Sequence, residues 1–380
     1  MATEPHDTDY LTLAEVYLVP SRDGGLTLRS PRRSAVLRGK LVTEIFPRLL
    51  PLLDGTRTAG DLVAALQDQG DATQLAMGIA KLQELGVIEP AYRPDDVSSP
   101  DMRERFGSQH RFFRQYGGDE QTMTRIAGGT VLLAGDGPLL PAAAFSLAAS
   151  GVHCLKVAGS RAVDDTDVAQ SAHVHLADVG RRWAEVVQEV LKRNGLDTDV
   201  TGADFGENKL DWQQQLTGVD CAVLALGSPV VSLPWIGEFN KASIAARTPW
   251  TSGSLLQRAV VHVGPSILPG ETACWKCFEY RFKSNLTAVG RYEEFQDYVA
   301  ATPRSLDQGS VPGIAEFTGA LVAFEALRIL GAGDLYVRSA GVLLTLDLWE
   351  LRMDAHPVLK LPRCPHCSSV SSVPQERLWS

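Results

Sequence analysis

The chain has 380 residues, of which 44% are hydrophobic and 21% are charged, and it carries a net charge of -9 with a pI of about 5.4. This is the composition of a globular protein with room for two domains. The acidic balance argues against a general nucleic-acid binder, which needs a basic surface to neutralise phosphates. No stretch approaches the roughly 18 consecutive apolar residues of a membrane helix, and no signal peptide is recognisable. We therefore expect a cytoplasmic protein that contacts neither nucleic acid nor membrane.

Residues 1–90 form the first predicted module. Three short β-like runs come first, at 11–20, 25–30 and 34–39. Three helical patterns follow them, at 41–53, 58–67 and 72–85. Short strands with three helices predict a winged helix-turn-helix module. Many winged helices bind DNA, but Lys81 is the only basic residue on the last helix, so a DNA-binding regulator is the least favoured interpretation.

Residues 91–125 are polar and interrupted by proline and glycine, which predicts a linker that ends in a helix. The segment 126–380 forms the second predicted domain. Apolar, strand-like runs lie at 130–137, 153–159, 197–205 and 220–227, and helical runs lie between them at 138–151 and 181–195. Alternating strands and helices predict a parallel sheet covered on both faces, the doubly wound α/β class. The later segments are predicted as antiparallel strands at 259–270, a polar excursion at 278–309, a helix at 313–330 and a strand pair at 342–359.

The most specific motif is a pair of CxxC sequences, Cys274-Trp-Lys-Cys277 and Cys364-Pro-His-Cys367. Two residues between thiols allow both sulfurs to reach one ion at about 2.3 Å, and two such pairs close a tetrahedral site that has no position for water. The motif therefore predicts a structural zinc ion that holds the C-terminal segment against the middle of the domain. Reactive dithiols or disulfides are the alternative, which paired CxxC motifs in an intracellular protein disfavour.

With these elements in order, residues 126–367 resemble the ThiF-like superfamily, the adenylyltransferases related to ubiquitin-activating enzyme. The resemblance is carried by DVGRRWAEVVQEVLKRNGLDTDV, GVDCAVLALGS, FNKASIAARTPWTSGSLLQRAVVHVGPSILPGETACWKC, GIAEFTGALVAFEALRILGAGD and CPHC. It implies a Rossmann-type parallel sheet with a four-cysteine zinc site. ThiF-like domains often dimerise through the helical face of the sheet, so the resemblance also allows a homodimer.

The N-terminal module resembles the PqqD-like precursor-peptide recognition element, a winged helix that binds leaders of ribosomally made, post-translationally modified peptides. Such an element fused to a ThiF-like domain that closes on HPVLKLPRCPHC is similar to the ocin-ThiF proteins of bacteriocin biosynthesis, which work beside a YcaO cyclodehydratase. In that family the leader adds as a strand beside the wing and packs on the last helix. The resemblance implies a peptide-binding edge strand and helix face, made of Ser34, Ala35, Val36, Leu37, Arg38, Leu75, Ile79, Leu82 and Gln83. For each apolar member, a plain core role is the alternative.

Adenylation requires a glycine loop around the phosphates, cations on the triphosphate and a carboxylate for magnesium. The loop at 135–138 reads Gly-Asp-Gly-Pro, in which Pro138 removes an N–H donor and Asp136 places negative charge where phosphates would lie. The fourth strand ends in Leu-Gly-Ser at 226–228, where the family has a magnesium-binding Asp.

Two further positions match the family only in part. Asp164 lies at the ribose position, and Arg181 or Arg182 lies at the position of a family Lys. The segment 169–175 has no counterpart of the family's Asn-Leu-Asn-Arg sequence. We therefore expect a degenerate nucleotide site with no catalytic residues.

These observations favour a non-catalytic scaffold that binds a leader peptide and presents the precursor to a YcaO enzyme, which would form azolines, azoles or thioamides. The alternative is an active ATP-dependent adenylyltransferase that acts on a carboxylate or a peptide C-terminus.

Overall fold

The computed structural model describes residues 10–22, 24–29, 34–39, 41–91, 100–119, 121–159, 161–204, 210–226, 235–255, 259–301, 309–332 and 336–368. The chain divides into two compact units, Met1–Gly107 and Ser108–Ser380. The division falls inside the helix Pro100–Arg114, within the segment 91–125 that the sequence predicts to be a linker ending in a helix.

The strands are β1 Tyr10–Leu13, β2 Tyr17–Pro20, β3 Leu26–Arg29, β4 Ser34–Leu37, β5 Asp54–Thr58, β6 Ile88–Pro90, β7 Thr130–Gly135, β8 Cys154–Gly159, β9 Asp199–Asp204, β10 Cys221–Leu226, β11 Trp250–Leu255, β12 Val260–Val263, β13 Val342–Asp347 and β14 Arg352–Pro357. The α-helices are α1 Phe46–Leu49, α2 Ala59–Ala65, α3 Ala72–Glu84, α4 Pro100–Arg114, α5 Thr122–Gly128, α6 Leu139–Ala149, α7 Asp165–Gln170, α8 Trp183–Arg193, α9 Trp212–Gln215, α10 Trp235–Ala246, α11 Trp275–Ser284, α12 Val289–Ala301 and α13 Pro312–Gly331.

The N-terminal unit contains two three-stranded sheets, β5-β1-β6 and β2-β3-β4, together with α1, α2 and α3. Leu11, Phe46, Leu62 and Leu82 are among the side chains of a core cluster in this unit. A capping box formed by Thr58 and Asp61 begins α2.

The predicted continuous helix at 41–53 is wrong. The segment forms a π-helical turn at Leu41–Ile45, the short α1 and a 3-10 turn at Leu50–Leu52. Pro47 and Pro51 each lack an N–H donor and crowd the preceding turn, so a regular helix cannot continue through them. The next residues form β5, which pairs antiparallel with β1.

The C-terminal unit is built on one eight-stranded sheet with the order β14-β13-β12-β11-β10-β7-β8-β9. The five strands from β9 to β11 in that order are parallel, and the last three pair antiparallel. This confirms the predicted α/β class with a large, mostly parallel sheet. The chain runs from β7 outward to β8 and β9 and then returns to β10 beside β7, which creates the switch point where doubly wound folds bind ligands.

The predicted polar excursion at 278–309 is instead largely helical. It contains most of α11 and all of α12. Lys276, Glu279 and Lys283 form ion pairs at 2.8 and 3.1 Å along one side of α11, so its polar residues stabilise a helix. In the described part of the chain, no helix has the length and apolarity needed to cross a bilayer.

Candidate functional site

The four cysteines of the two CxxC motifs come together in the C-terminal unit. Cys274 is the N-cap of α11 and Cys277 lies in its first turn, whereas Cys364 and Cys367 lie in turns beyond β14. The Sγ atom of Cys274 is 3.9 Å from that of Cys277 and 3.6 Å from that of Cys364, and the Cys277 and Cys367 sulfurs are 3.6 Å apart. Sulfurs held at about 2.3 Å by one tetrahedral ion are separated by about 3.8 Å. The four side chains are therefore placed to bind one metal ion.

The environment of this cysteine cluster is closed and apolar. Cys274, Cys277 and Cys364 are at most 2% exposed, and they belong to the same core cluster as Trp275 and Phe278. Burial raises the pKa of the Cys274 thiol. Uncompensated thiolates are costly in such surroundings, so a cation that neutralises them would stabilise the fold.

Backbone N–H groups donate hydrogen bonds to two of the cysteine sulfurs and so favour their deprotonated, thiolate form. Burial alone would raise the pKa of Cys364, but hydrogen bonds from the backbone of His366 and Cys367 outweigh it and lower that pKa. The N–H of Leu361 donates to the Cys277 sulfur at 3.3 Å. Such donors are typical around metal-bound thiolates and orient them toward the ion.

Asn240 on α10 ties the two CxxC motifs together. Its side chain is fully buried; Oδ1 accepts the N–H of Trp275 at 3.0 Å, and Nδ2 lies 2.9 Å from Nδ1 of His366. Burial lowers the pKa of His366, so its ring is neutral and Nδ1 can accept this hydrogen bond. Neither CxxC motif indicates this role of Asn240, because the residue is far from both motifs in the chain.

The glycine loop between β7 and α6 is shaped by the sheet itself. Gly135 has φ +136°, and a Cβ there would lie 1.9 Å from the carbonyl oxygen of Ala225 on β10. The N–H of Asp136 donates to that same carbonyl at 3.0 Å. The close approach of β7 and β10 therefore requires Gly135 whether or not a nucleotide binds. Pro138 is the N-cap of α6, and it provides neither an N–H group nor a side-chain cap.

Arg161 and Asp167 form a buried ion pair just beyond β8. The Arg161 guanidinium is 2.6 and 2.8 Å from the two carboxylate oxygens of Asp167, whose side chain is 2% exposed. Burial opposes the charge of Arg161, but Asp167, Asp136 and Asp164 together raise its pKa. The charge of Arg161, which interacts with Asp136 of the glycine loop, is thus neutralised by carboxylates of the protein.

Asp164, which matches the family's ribose position, is the N-cap of α7. Its Oδ1 accepts the N–H groups of Thr166 at 2.9 Å and Asp167 at 3.1 Å, and its Oδ2 lies 3.2 Å from Arg161. Both oxygens therefore have partners within the protein. Gly227 and Ser228, which replace the magnesium carboxylate in the sequence, lie outside the described residues.

The other two candidate cations are Arg181 and Arg182. Arg181 lies 2.6 Å from Asp178 and 2.8 Å from Glu189. Arg182 is the N-cap of α8. In the segment 169–175, His173 forms a 2.8 Å pair with Glu316 and its side chain is mostly buried.

The predicted peptide-binding strand is β4, which contains Ser34, Ala35, Val36 and Leu37 and is followed by exposed Arg38. Among the described residues β4 pairs only with β3, so its other edge is open. Of the predicted helix face on α3, Leu75, Ile79 and Leu82 are buried in the core cluster that Leu37 also contacts, and Gln83 is half-buried.

Exposed apolar side chains lie on both edge strands of this sheet. Val19, Thr27 and Val36 are directly opposite one another across β2, β3 and β4, and Val19 and Val36 are 48% and 53% exposed. Met77 on α3 is 69% exposed, as its position on the helix face opposite Leu75, Ile79 and Leu82 predicts.

Comparisons with known proteins agree with this architecture. Residues 108–368 match the ThiF family. The chain is similar to the solved structure of E. coli MccB with ATP, at 17% identity and a TM-score of 0.65 over 94% of this chain and 99% of that chain. The complex of the microcin C7 biosynthetic enzyme MccB with N-formylated MccA matches at 16% identity and a TM-score of 0.65, with the same coverage.

The heterocyclase TruD is also similar, at 16% identity and a TM-score of 0.60, over 95% of this chain and 43% of the TruD chain. At these identities the structures show a shared fold. No curated protein sequence matches the chain significantly. Because the matched segment 108–368 covers well over half of the chain, the protein belongs to the ThiF family.

Proposed function

We propose that this protein binds the leader of a ribosomally made precursor peptide and delivers the peptide to a partner YcaO cyclodehydratase, without catalysing the reaction itself. The absence of catalysis is supported mainly by the ion-pair network of Arg161, Asp164 and Asp167 beside the glycine loop. These side chains satisfy one another, and Pro138 withdraws a donor from the loop, so little remains to recognise a triphosphate.

The N-terminal unit supports the peptide-binding half of the proposal. We infer that it is a PqqD-like winged-helix recognition element in which the leader adds as a strand to the open edge of β4. All four residues of β4 have an N–H group, whereas β2, at the opposite edge of the sheet, contains Pro20. Val36, exposed on β4, provides an apolar contact for a leader side chain.

The burial of Leu75, Ile79 and Leu82 changes the proposed role of α3. These three side chains hold the module together and support β4 from behind through Leu37. The proposed contact with the leader therefore rests on the strand edge and on half-buried Gln83 beside the core face of α3.

The similar structures are consistent with a peptide substrate. MccB has been solved with MccA peptides, and TruD is named as a heterocyclase. A scaffold that holds a precursor beside its enzyme replaces a bimolecular encounter by one at millimolar effective concentration. This explains how a protein without chemistry of its own can accelerate azoline, azole or thioamide formation by its partner.

We further propose that the cysteine cluster binds zinc in a structural role. All four ligand positions are cysteine thiols, three of them almost completely buried, which leaves no coordination position for water or substrate. A closed four-thiolate site stabilises a fold and does not catalyse hydrolysis.

An active adenylyltransferase is the second candidate, because E. coli MccB in complex with ATP matches over 99% of its length. An ATP–pyrophosphate exchange assay with the purified chain and a candidate peptide distinguishes the two. The scaffold gives no exchange above background, and the YcaO partner modifies the peptide only when this chain is present. Exchange that requires the peptide would establish the enzyme instead.

A further inference from the structure

The sequence around β4 is basic, although the protein as a whole is acidic. The segment 24–43 contains five basic residues and no acidic one, whereas the chain carries a net charge of -9. Of the five, Arg29 and Arg38 lie in the described part of the chain, and both are exposed. A local excess of one charge sign attracts ligands of the opposite sign. A ligand at the open edge of β4 therefore meets positive charge.

The two arginines lie at opposite ends of β4. Arg29 is the last residue of β3 and is paired directly with Ser34, the first residue of β4. Arg38 follows Leu37, the last residue of β4. From Ser34 to Arg38 an extended chain covers about 13 Å, at about 3.3 Å per residue. One cation is therefore available near each end of the edge strand.

Both arginines belong to the outer face of this sheet. Side chains alternate between the two faces along a strand, and residues paired directly across strands share a face. On β4, Ser34 and Val36 are exposed, and the residue that follows each of them is half-buried. Arg29 is exposed on the same side as its partner Ser34, and Arg38, the next alternate position after Val36, is exposed as well. The outer row along β4 is thus cation, apolar side chain, cation.

A strand added at β4 would align its own outer side chains with this row. Its residue opposite Val36 would contact an apolar side chain that is 53% exposed. Its residue opposite Ser34 would lie about 10 Å from the β3 backbone. The side chain of Ser34 is small, so the long Arg29 side chain can extend across it to that residue. Opposite charges at such cross-strand positions attract and like charges repel, so the residues at both ends of the row should be acidic.

We propose that β4 selects an extended peptide with the pattern acidic-x-apolar-x-acidic. The central apolar residue packs on Val36, and the two carboxylates pair with Arg29 and Arg38. The residues marked x point to the other face of the sheet, the side on which Leu37 packs against the core cluster. The pattern reads the same in both directions, so it holds for parallel and antiparallel addition. This inference rests on the proposed binding of a leader at β4, and it names the class of leader that fits.

Nucleic acid is the other polyanion that a basic strand attracts. The helix that a winged module places in a groove would be α3, whose one basic residue, Lys81, pairs with Glu84 at 2.7 Å. The apolar Val36 in the middle of the row also has no counterpart in a phosphate backbone. The surface therefore fits an acidic peptide better than a duplex.

Selection from a phage library of random peptides on the immobilised full-length chain tests the proposal. Enriched peptides should carry two acidic residues on either side of an apolar one, at the spacing given above. Their synthetic forms should bind in calorimetric titration with an affinity that falls as salt is added. Arg29→Glu should weaken this binding by about threefold to tenfold. Arg48→Glu, an exposed position on α1 outside this sheet, makes the same change in charge and should bind as wild type does.

Charge exchange then reports the pairing itself. Of the two synthetic peptides in which one acidic residue is replaced by lysine, one should bind Arg29→Glu better than it binds wild type. Enriched peptides that lose binding to Val36→Glu but lack the acidic residues would overturn the charge pattern and leave leader binding at β4 intact. Peptides that bind Val36→Glu and Arg29→Glu as well as wild type, or a library that gives no binder, would overturn the pattern and its place at β4. A DNA duplex that displaces the selected peptides would assign the basic strand to nucleic acid instead.

Discussion

Asn240 donates a hydrogen bond to Nδ1 of His366 at 2.9 Å, although the two residues are 126 positions apart. The same side chain accepts the N–H of Trp275, which follows the first cysteine of the other motif. One buried amide therefore joins both CxxC segments, and hydrogen bonds that hold metal-binding segments in place commonly govern metal affinity.

We predict that Asn240→Leu weakens metal binding and stability together. The substitution leaves the Trp275 N–H and the His366 ring without their buried partner, which should cost about 1 to 3 kcal/mol of unfolding free energy. Metal affinity should fall by about 10- to 100-fold, measured by competition with a chelator. Lys241→Ala, at the neighbouring exposed position of α10, is the control and should behave as wild type. Equal metal retention in the two variants would contradict this role for Asn240.

Removal of a cysteine ligand should have a larger effect. Cys274→Ser or Cys364→Ser leaves three thiols, so the purified protein should lose most of its metal and several kcal/mol of stability. Elemental analysis gives the metal content, and denaturant unfolding with and without a chelator gives the stability. Cys221→Ser, at a buried cysteine outside the cluster, should keep the metal content unchanged. Less than about half an equivalent of zinc in metal-replete wild-type protein would rule out the zinc site.

Substitution of Gly135 in the glycine loop should lower the stability of the fold even when no nucleotide is present. Gly135→Ala brings a methyl group against the Ala225 carbonyl, and neither backbone can move without disrupting β7 and β10, so a loss of at least about 3 kcal/mol is expected. Gly128→Ala at the end of α5 meets no atom within 4 Å and should be neutral or stabilising by about 0.5 kcal/mol. Thermal unfolding of both variants in nucleotide-free buffer checks this. A Gly135→Ala chain that is stable yet altered only in ATP handling would show that the loop serves a nucleotide.

The sequence predicted those elements whose signal is local. β7 and β10 are continuous apolar runs, and the two CxxC motifs have their own spacing. β11 was missed because Thr251 and Ser252 make it look polar. Both are fully buried, and their hydroxyl groups find partners in Ser266 and the carbonyl of Gly264. Those partners are brought close only by the fold, so no local pattern in the sequence shows them.

Asp136 should be dispensable for peptide modification. It lies in the loop that would hold phosphates, where its charge acts on Arg161. In a reconstituted reaction with the YcaO partner, Asp136→Asn should therefore keep product formation within about twofold of wild type, since no transition-state contact is lost. Mass spectrometry of the precursor peptide measures the modification. Complete loss of product by a folded Asp136→Asn chain that still binds leader would mean that the loop takes part in the chemistry.

Leader binding should depend on one edge of the N-terminal sheet and not on the other. Val36 on β4 and Val19 on β2 lie at opposite ends of one cross-strand row and are similarly exposed, at 53% and 48%. Val36→Glu places a charge where the leader strand would pack, and we expect affinity for the cognate leader to fall by about tenfold or more in calorimetric titration of the full chain. Val19→Glu makes the same chemical change at the edge that contains Pro20, so it should bind leader as wild type does. The two variants should unfold at the same denaturant concentration, because both side chains point to solvent. Equal loss of affinity in both would place the peptide across the face of the sheet, and loss only in Val19→Glu would place it at β2.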